Sequence, residues 1–401
     1  MNAPGIFFEG IDIYGLEGAD SYWNVTVRDI CSALSAGGVP CEPLRLHDRE
    51  NTTLSFDPSA LPPFAISWNF NNGRWAMYQG RQVRMTSVLP VRNIVLLWDH
   101  PVHWAETIQE TQEFDQQFGR PPFFIGVMDS GHMDFLIDMG VGRDQIFRWR
   151  QAGPPAPENV PDMTERSVDF AFHGTINDVE EFEKFCTRNE ISDPVVMVGL
   201  QKAIAAIIEE PVDVYAAVVE HIAQPGVFDA APMAIAPLCR ELDRLTRDIR
   251  RVALLGGLRD LNIHYIGKVD GAFQATNPNS VFHGAMPFNE IEAYLRNTKV
   301  VFYDTINFRD AAVMRLFYSI QQGCAPAAEM NAYLRNAFTD GENILALTLA
   351  DPASNSARLR DMVANPAALS AIAAAAQYEC GVHHTWAQRI KPLIDAVHAS
   401  V

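Results

Sequence analysis

Two pairs of side chains that could accept a proton lie where short apolar runs of the sequence end. The run LLWDHP carries Asp99 and His100 near its end, and the run FFIGVMDSGH carries Asp129 and His132. Carboxylates and imidazoles are the groups that commonly remove a proton from a reacting hydroxyl. We therefore take these four residues as candidate general bases, and Asp99 with His100 beside it is the first choice.

A structural role for the same residues is the alternative. An Asp at a strand end often caps the helix that follows, and His100 could pack against Trp98 and Trp104. His100 and His103 are also spaced like a pair of metal ligands, but no third ligand stands at an evident spacing. The sequence therefore predicts no metal site.

A third group of polar residues lies in the segment DTINFRDAAVMRLFYSIQQG, residues 304–323. The pattern predicts a polar loop that enters a helix capped by Asp310 and ended by Gly323. Arg315 falls off the apolar stripe of this helix, and its planar guanidinium suits a phosphate or carboxylate partner. The alternative for Arg315 is a solvated charge or a local ion pair.

The elements that position the first group are predicted from the alternation of short apolar runs and helical stretches over the first 150 residues. This alternation is typical of a parallel sheet with crossover helices. The predicted strands are Gly5–Phe8, Cys41–Leu46, Phe64–Trp68, Asn93–Trp98, Phe123–Met128 and Gln145–Trp149.

A second unit follows the stretch QAGPPAPENVPD, residues 151–162, whose prolines and glycine predict an extended linker. Val168–His173 is the first predicted strand of that unit, and an Ala-rich helical insertion covers about 178 to 236. Alternation then resumes, and the chain ends in an amphipathic helix that Pro392 should kink. Two doubly wound units that face a cleft would place a ligand at the carboxyl ends of their strands, where helix N-termini favour phosphate.

Five segments in order carry a resemblance to a known family. They read VDFAFHGTIND, ELDRLTRDIRRVALLGGL before IHYIGK, VFHGAMPFNEIEAYLRNTKVVFYD, RLFYSIQQGCAP and HHTWAQRIKPLI. Together they resemble the nucleotide-binding half of group 1 glycosyltransferases with the GT-B fold, in particular the CgeB-like branch. The resemblance implies two Rossmann-like domains, an N-terminal acceptor domain over 1–155 and a nucleotide-sugar-binding domain over 165–385. It leaves a C-terminal crossover helix over 386–401, which we expect to pack back on the N-terminal domain.

The resemblance also implies a set of donor-binding residues. The family has two acids eight positions apart, and this sequence has Asp310 and Tyr318 at those positions, so the second acid is replaced. Arg315 matches an Arg of the CgeB-like branch. The remaining positions implied to bind the nucleotide sugar are Gly15, Gly18, Gly174, Lys268, His283, Gly284 and Arg309.

The net charge of the sequence limits the classes of molecule that we expect the protein to bind. The 401 residues include 49 acidic and 31 basic side chains, which gives a formal net charge of −18. This balance disfavours nucleic-acid backbones and anionic membranes, since both bind through clustered Lys and Arg. The sequence also lacks a signal peptide and a membrane-spanning stretch, so we expect a cytoplasmic protein with a soluble glycan, small molecule or protein as acceptor.

The resulting expectation is a metal-independent, hexosyltransferase-like glycosyltransferase that needs no cofactor beyond its nucleotide-sugar donor. A second hypothesis is a GT-B binding or structural protein without turnover, because Tyr318 replaces the second acid. A third is another two-domain α/β enzyme such as a sugar-phosphate epimerase, since a fold alone does not determine chemistry.

Overall fold

The computed structural model of the protein consists of two compact units. Unit 1 comprises Met1–Arg150 and Trp386–Val401, and unit 2 comprises Gln151–Thr385. The structure describes residues 4–9, 22–45, 62–72, 75–78, 81–84, 91–120, 122–210, 212–222, 231–305 and 307–399. Gly15 and Gly18, which the resemblance implies for donor binding, lie outside the described residues.

Unit 1 is built on a six-stranded parallel sheet, and each of the six strands predicted for this half is present. The spatial order β2-β1-β3-β6-β7-β8 reverses direction between β1 and β3. Two further strands, β4 and β5, pair as an antiparallel hairpin that the apolar pattern did not predict. The strands are β1 Gly5–Glu9, β2 Cys41–Arg45, β3 Phe64–Trp68, β4 Trp75–Tyr78, β5 Arg81–Arg84, β6 Arg92–Leu96, β7 Phe124–Val127 and β8 Ile146–Arg148.

The helices of unit 1 that precede the linker begin and end at local signals. Gly119 adopts a left-handed conformation with φ 59° after the third helix, where an L side chain would be strained. Asp129 accepts a hydrogen bond from the Gly131 amide over 3.0 Å and so caps the fourth. The helices are α1 Tyr22–Ala36, the single turn α2 Asn69–Asn72, α3 Ala105–Phe118 and α4 Ser130–Asp138.

Unit 2 contains the second six-stranded parallel sheet. Its order is β11-β10-β9-β12-β13-β14, which is the strand order 3-2-1-4-5-6 of a dinucleotide-binding Rossmann fold. The predicted α/β class with two Rossmann-like domains is therefore confirmed. The strands are β9 Val168–His173, β10 Ile263–Ile266, β11 Val281–Gly284, β12 Thr298–Tyr303, β13 Ala325–Glu329 and β14 Leu345–Leu347.

The helical insertion of unit 2 stands between β9 and β10. One face of the sheet packs its aromatic residues closely, with Phe170 stacked on Phe302 at a centroid distance of 5.7 Å. The helices are α5 Phe182–Arg188, α6 Pro194–Glu209, α7 Val214–His221, α8 Pro232–Gly256, α9 Gly271–Thr276, α10 Phe288–Arg296, α11 Met314–Gln321, α12 Ala332–Ala337, α13 Pro352–Val363 and α14 Pro366–His383.

After unit 2 the chain returns to unit 1 as two short helices, α15 Trp386–Arg389 and α16 Lys391–Ala399. The prediction of one kinked helix was wrong, because the helix breaks at Ile390 and Pro392 becomes the second residue of α16. Proline is tolerated in a first turn, where its missing N–H has no helical partner to lose. None of the helices in the described part of the chain combines the length and apolar character that crossing a membrane requires.

Candidate functional site

The strand order of unit 2 points to one edge of its sheet as the ligand site. Parallel pairing aligns β9 with β12, so that Phe172 lies opposite Phe302 and both strands end at the same edge. The order reverses between these two strands, and ligands of such sheets bind outside the carboxyl ends at the reversal. The residues that follow the two strands there are Gly174 and Thr175 after β9, and Asp304 and Thr305 after β12.

Arg315 and Gly174 meet at this edge. The Arg315 Nη1 atom donates a hydrogen bond to the carbonyl oxygen of His173, and the side chain is half-buried. A Cβ atom on Gly174 would overlap that same Nη1 atom, so a larger residue there would displace the guanidinium from this position. The structure therefore brings together two of the residues implied by the resemblance.

The helix that carries Arg315 starts later than predicted. It begins at Met314 with Val313 as its cap, so Asp310 does not cap it. The loop before it is held from a distant part of the chain, because the Asn331 side chain donates hydrogen bonds to the carbonyls of Phe308 and Ala311 over 2.9 and 2.7 Å. The local signal at Asp310 was overridden by these tertiary bonds.

The other implied residues of this segment differ in exposure. Arg309 is exposed and Asp310 is half-buried, both in the loop before α11. Tyr318 is only 2% exposed, and its ring meets Phe288 edge-on at a centroid distance of 5.6 Å. The structure thus places Tyr318 in the core, whereas the replaced acid would need to face a ligand.

Two ion pairs of buried arginines at the same edge were not predicted from the sequence. Arg251 contacts the Asp304 carboxylate at 2.8 Å, with side-chain exposures of 9% and 3%. Arg250 pairs with Glu329, which also accepts a hydrogen bond from the Thr305 hydroxyl over 3.1 Å. The available signals were the adjacent arginines in the segment ELDRLTRDIRRVALLGGL and the acid Asp304 after the apolar run KVVFY, whereas the strand that ends in Glu329 was not predicted. These pairs hold α8 against the carboxyl ends of β12 and β13.

His173, at the end of β9, is kept neutral by its surroundings. Burial, and secondly the positive charge of Arg315, lower the pKa of His173 from 6.5 to about 3. The unfolded chain binds a proton on this residue near pH 6.5, whereas the folded protein does so only near pH 3. Between these values the unfolded state holds more protons, so the contribution of His173 to stability is lost as the pH falls.

Replacing His173 by Gln should therefore make the protein less sensitive to acid. We expect the thermal midpoint of the wild type to fall further than that of His173→Gln between about pH 7.5 and about pH 5.5. Differential scanning fluorimetry at the two pH values measures the difference. His221→Gln, in the same unit at the end of α7, serves as the control and should fall as the wild type does. Equal falls for wild type and His173→Gln would contradict the assignment.

The ends of β10 and β11 are joined through glycines. The Gly267 amide donates a hydrogen bond to the Gly284 carbonyl over 2.7 Å, and the two residues have φ of 129° and 73°. Lys268, next along the chain, is exposed at this corner. His283 instead points its ring toward His264 and Tyr294, with its Nε2 atom 3.1 Å and 3.0 Å from their polar atoms.

Gly267→Ala should destabilise unit 2. A Cβ atom at Gly267 would overlap the carbonyl oxygen of Gly174, and its φ is one that L residues rarely adopt. We expect the free energy of unfolding to fall by about 2–3 kcal/mol, as measured by urea denaturation. Gly271→Ala is the matched control, because no atom lies within 4 Å of a Cβ there. A loss in Gly271→Ala as large as that in Gly267→Ala would contradict this explanation.

In unit 1 the candidate base Asp99 follows β6 and lies beside a strained turn. Asn69, just after the neighbouring strand β3, has φ 42°, and its side chain donates to Asp99 Oδ2 over 3.4 Å. The same side chain accepts the Trp98 amide hydrogen over 3.0 Å. Non-glycine residues with positive φ are costly and concentrate at functional sites. Asp99 itself is half-buried.

His100, and not Asp99, is the residue that caps the helix after β6. The Val102 amide donates to His100 Nδ1 over 3.1 Å, so His100 caps the short helix Pro101–Trp104. His100 is 3% exposed and packs edge-on against His132 at a centroid distance of 4.4 Å. Asp129 is likewise a helix cap, which leaves Asp99 as the more accessible of the two carboxylates.

Comparison with known proteins bears on both units. Residues 237–395, less than half of the chain, match the family model described as Glycosyl transferase-like. An alpha-glucosyltransferase in complex with UDP-glucose and DNA containing an abasic site aligns with a TM-score of 0.55 at 10% identity, over 99% of each chain. An alpha-glucosyltransferase in complex with UDP aligns with a TM-score of 0.52 at 10% identity, over 99% of this chain and 100% of the other. No curated protein sequence matches the chain. The chain therefore has the GT-B glycosyltransferase fold, and its segment 237–395 is glycosyltransferase-like in sequence.

Proposed function

We propose that the protein is a glycosyltransferase that moves a sugar, in particular a hexose, from a nucleotide-diphosphate donor to an acceptor hydroxyl. One observation carries this proposal. The segment that matches the glycosyltransferase-like model, 237–395, contains Arg251, Asp304 and Arg315, which meet the strand ends at the topological reversal of unit 2. The part of the chain that is similar to the family in sequence is thus the part that forms the candidate ligand edge.

The donor diphosphate would bind at this edge of unit 2. Departure of the nucleotide leaves negative charge on its phosphates, which preorganised N–H donors and cations stabilise. Arg315 at the start of α11, Arg309 before it and Lys268 after β10 are the cations that the proposal assigns to that charge. Gly174 and Gly284 allow the backbone to approach the phosphates closely.

The acceptor would bind at unit 1, with Asp99 as general base. Its carboxylate accepts the proton of the acceptor hydroxyl while the oxygen attacks the anomeric carbon of the sugar and the bond to the diphosphate breaks. Asn69 would orient the carboxylate through the hydrogen bond to Oδ2. His100 would act beside Asp99 by fixing the backbone that follows it, since its Nδ1 atom holds the Val102 amide.

The acceptor that we propose is a soluble glycan, small molecule or protein. Solved structures of the same fold include glucosyltransferases bound to DNA. A formal charge of −18 opposes binding to a phosphate backbone, which relies on clustered cations. The reaction that we propose therefore uses a nucleotide-sugar donor, as in those structures, but a different class of acceptor.

Thermal-shift measurements with UDP, GDP, CDP, CMP, ADP and TDP test the proposal. We expect one nucleoside diphosphate to raise the melting temperature and the matching sugar nucleotide to be hydrolysed slowly, because a ligand that binds only the folded state stabilises it. No shift with any nucleotide would refute the proposal. Stabilisation without hydrolysis or transfer to an acceptor panel would favour the second candidate, a nucleotide-binding protein without turnover, which the buried Tyr318 supports.

Arg315→Ala tests the donor site separately. A hydrogen bond to a charged group contributes about 1.5–3 kcal/mol, so we expect the affinity for the stabilising nucleotide to fall about 10- to 100-fold. Isothermal titration calorimetry measures the change. Arg335→Ala, an exposed Arg at the end of α12, is the matched control and should bind as the wild type does. An unchanged affinity in Arg315→Ala would refute the role of Arg315.

A further inference from the structure

Three side chains converge on one point at the edge of the unit 2 sheet. His264 lies on β10, His283 on the edge strand β11, and Tyr294 on α10. His264 Nδ1 and His283 Nε2 are 3.1 Å apart, and Tyr294 Oη is 3.0 Å from His283 Nε2. Tyr294 Oη also contacts His264 Nδ1, so all three polar atoms touch one another.

Hydrogen bonds cannot account for all three contacts among these atoms. With both imidazoles neutral, a proton on His264 Nδ1 can be donated to the Tyr294 oxygen, and the Tyr294 proton can then be donated to His283 Nε2. The third contact, between the two ring nitrogens, then has no hydrogen bond of its own, because the one proton on these nitrogens is already donated to the Tyr294 oxygen. The mirror arrangement, with the proton on His283 Nε2 instead of His264 Nδ1, leaves the same contact unfilled, and the other two neutral tautomers place two lone pairs or two protons opposite each other.

A cation at the centre of the triangle resolves this conflict, because every lone pair would then point at it. Tetrahedral Zn²⁺ binds imidazole nitrogen at about 2.0–2.1 Å, which places neighbouring ligand atoms about 3.3 Å apart. Two of the three contacts, at 3.0 and 3.1 Å, are within a few tenths of an ångström of that spacing, and the third, between Tyr294 Oη and His264 Nδ1, is shorter than it. All three residues are half-buried, so an ion could enter from solvent and keep a water molecule as its fourth ligand.

The protonation states of the two histidines agree with metal binding. Burial lowers the pKa of both histidines, for His264 with a further contribution from the neighbouring His283, so both rings are in the neutral form that binds metals. Burial raises the pKa of Tyr294 and so opposes loss of the phenol proton, and the positive charge of the bound ion would have to outweigh that effect for the proton to leave to solvent. Asp169 acts on His264 in the opposite direction and is itself paired with Lys299 at 2.7 Å.

We propose that His264, His283 and Tyr294 form a site for a borderline divalent transition-metal ion, with Zn²⁺ as the ion that best fits two imidazoles and one oxygen. The site does not depend on the proposed glycosyl transfer. Its ligands join the edge strand β11 to β10 and to α10, and the Gly284 carbonyl that holds Gly267 follows His283 directly. The ion would therefore have a structural role, apart from the metal-independent sugar transfer that the sequence leads us to expect.

Titration of chelator-treated protein with Co²⁺, followed by competition with Zn²⁺, tests this site. We expect one Co²⁺ ion per chain with the intense visible absorption of a tetrahedral centre, displaced by Zn²⁺. His264→Ala and His283→Ala should each abolish that absorption. His398→Ala, which removes an exposed histidine of α16, is the matched control and should retain it.

Tyr294→Phe keeps the ring and removes only the oxygen, so it guards against variants that fail to fold. With Cu²⁺ as the probe, the wild type should show a phenolate-to-metal charge-transfer band that Tyr294→Phe lacks. Circular dichroism in the presence of chelator verifies that each variant is folded. No stoichiometric binding, or equal binding by wild type, His283→Ala and Tyr294→Phe, would mean an adventitious ion only and would overturn the proposal. Neither result changes what the nucleotide panel measures.

Discussion

Asn in place of Asp99 is expected to lower kcat for sugar transfer by about 10²- to 10⁴-fold, the usual contribution of a positioned general base. The amide has nearly the same shape as the carboxylate, so the hydrogen bond from Asn69 and the fold of unit 1 should be retained. Binding of the nucleotide, which the proposal assigns to unit 2, should be unchanged. Initial rates at saturating donor and acceptor measure the loss.

Asp134→Asn is the matched control for this change. It removes one carboxylate from an exposed position of α4 in the same unit and should leave kcat within about threefold of the wild type. If Asp99→Asn kept full activity, the proton acceptor would be another group, and the leaving phosphate would be the next candidate. A parallel loss of nucleotide affinity would instead indicate that the variant is misfolded.

Asp304→Ala is expected to cost about 3–5 kcal/mol in the free energy of unfolding. The change leaves the Arg251 guanidinium buried without its carboxylate, and removal of one partner of a buried ion pair has an effect of this size. Arg251 keeps its hydrogen bond to the carbonyl oxygen of Thr175 and lies 5.7 Å from the centre of the Phe172 ring, so it cannot turn to solvent without further loss. Urea denaturation followed by tryptophan fluorescence and circular dichroism measures the change.

An exposed ion pair of the same unit provides the comparison. Lys184 and Glu181 are 3.1 Å apart with side-chain exposures of 70% and 69%, and Glu181→Ala should cost less than about 1 kcal/mol. Similar losses in Glu181→Ala and Asp304→Ala would show that burial does not set the energy of the Arg251 pair. A double variant with Arg251→Met should recover part of the stability, because the unpaired charge is then gone.

The strands of the unit 1 sheet, and β9 of unit 2, could be predicted because each lies in a short apolar run, whereas β13 and β14 were not predicted. In β6 and β7 every position but the first is buried, so the run of apolar residues alone marks them. The start of α11 could not be predicted in this way. Asp310 followed by small residues reads locally as a cap, and only the bonds from Asn331, 20 residues away from Ala311 in sequence, show that the loop continues.

The residues of the candidate sites likewise differ in whether a local sequence pattern marks them. Arg315, Gly174 and Asp99 were accessible to sequence analysis, since each belongs to a short segment with a recognisable local pattern. Arg251 and Asp304 were missed because they stand 53 positions apart, and no local pattern links them. The contact of His264 with His283 depends on the register of β10 against β11, which contains an irregularity after Tyr265.

The return of the chain to unit 1 has a consequence for biosynthesis. Trp386 stacks on Trp149 at a centroid distance of 5.8 Å, and a Cβ atom on Gly37 would meet the Ile394 side chain, so α15 and α16 fill positions in unit 1. A ribosome adds about 5–20 residues per second, so synthesis of unit 2, Gln151–Thr385, takes roughly 10 to 50 seconds, and the first part of unit 1 exists for that time before these helices are made. During that interval the core of unit 1 is incomplete, and we expect the exposed part of it to be bound by chaperones or cleaved by proteases.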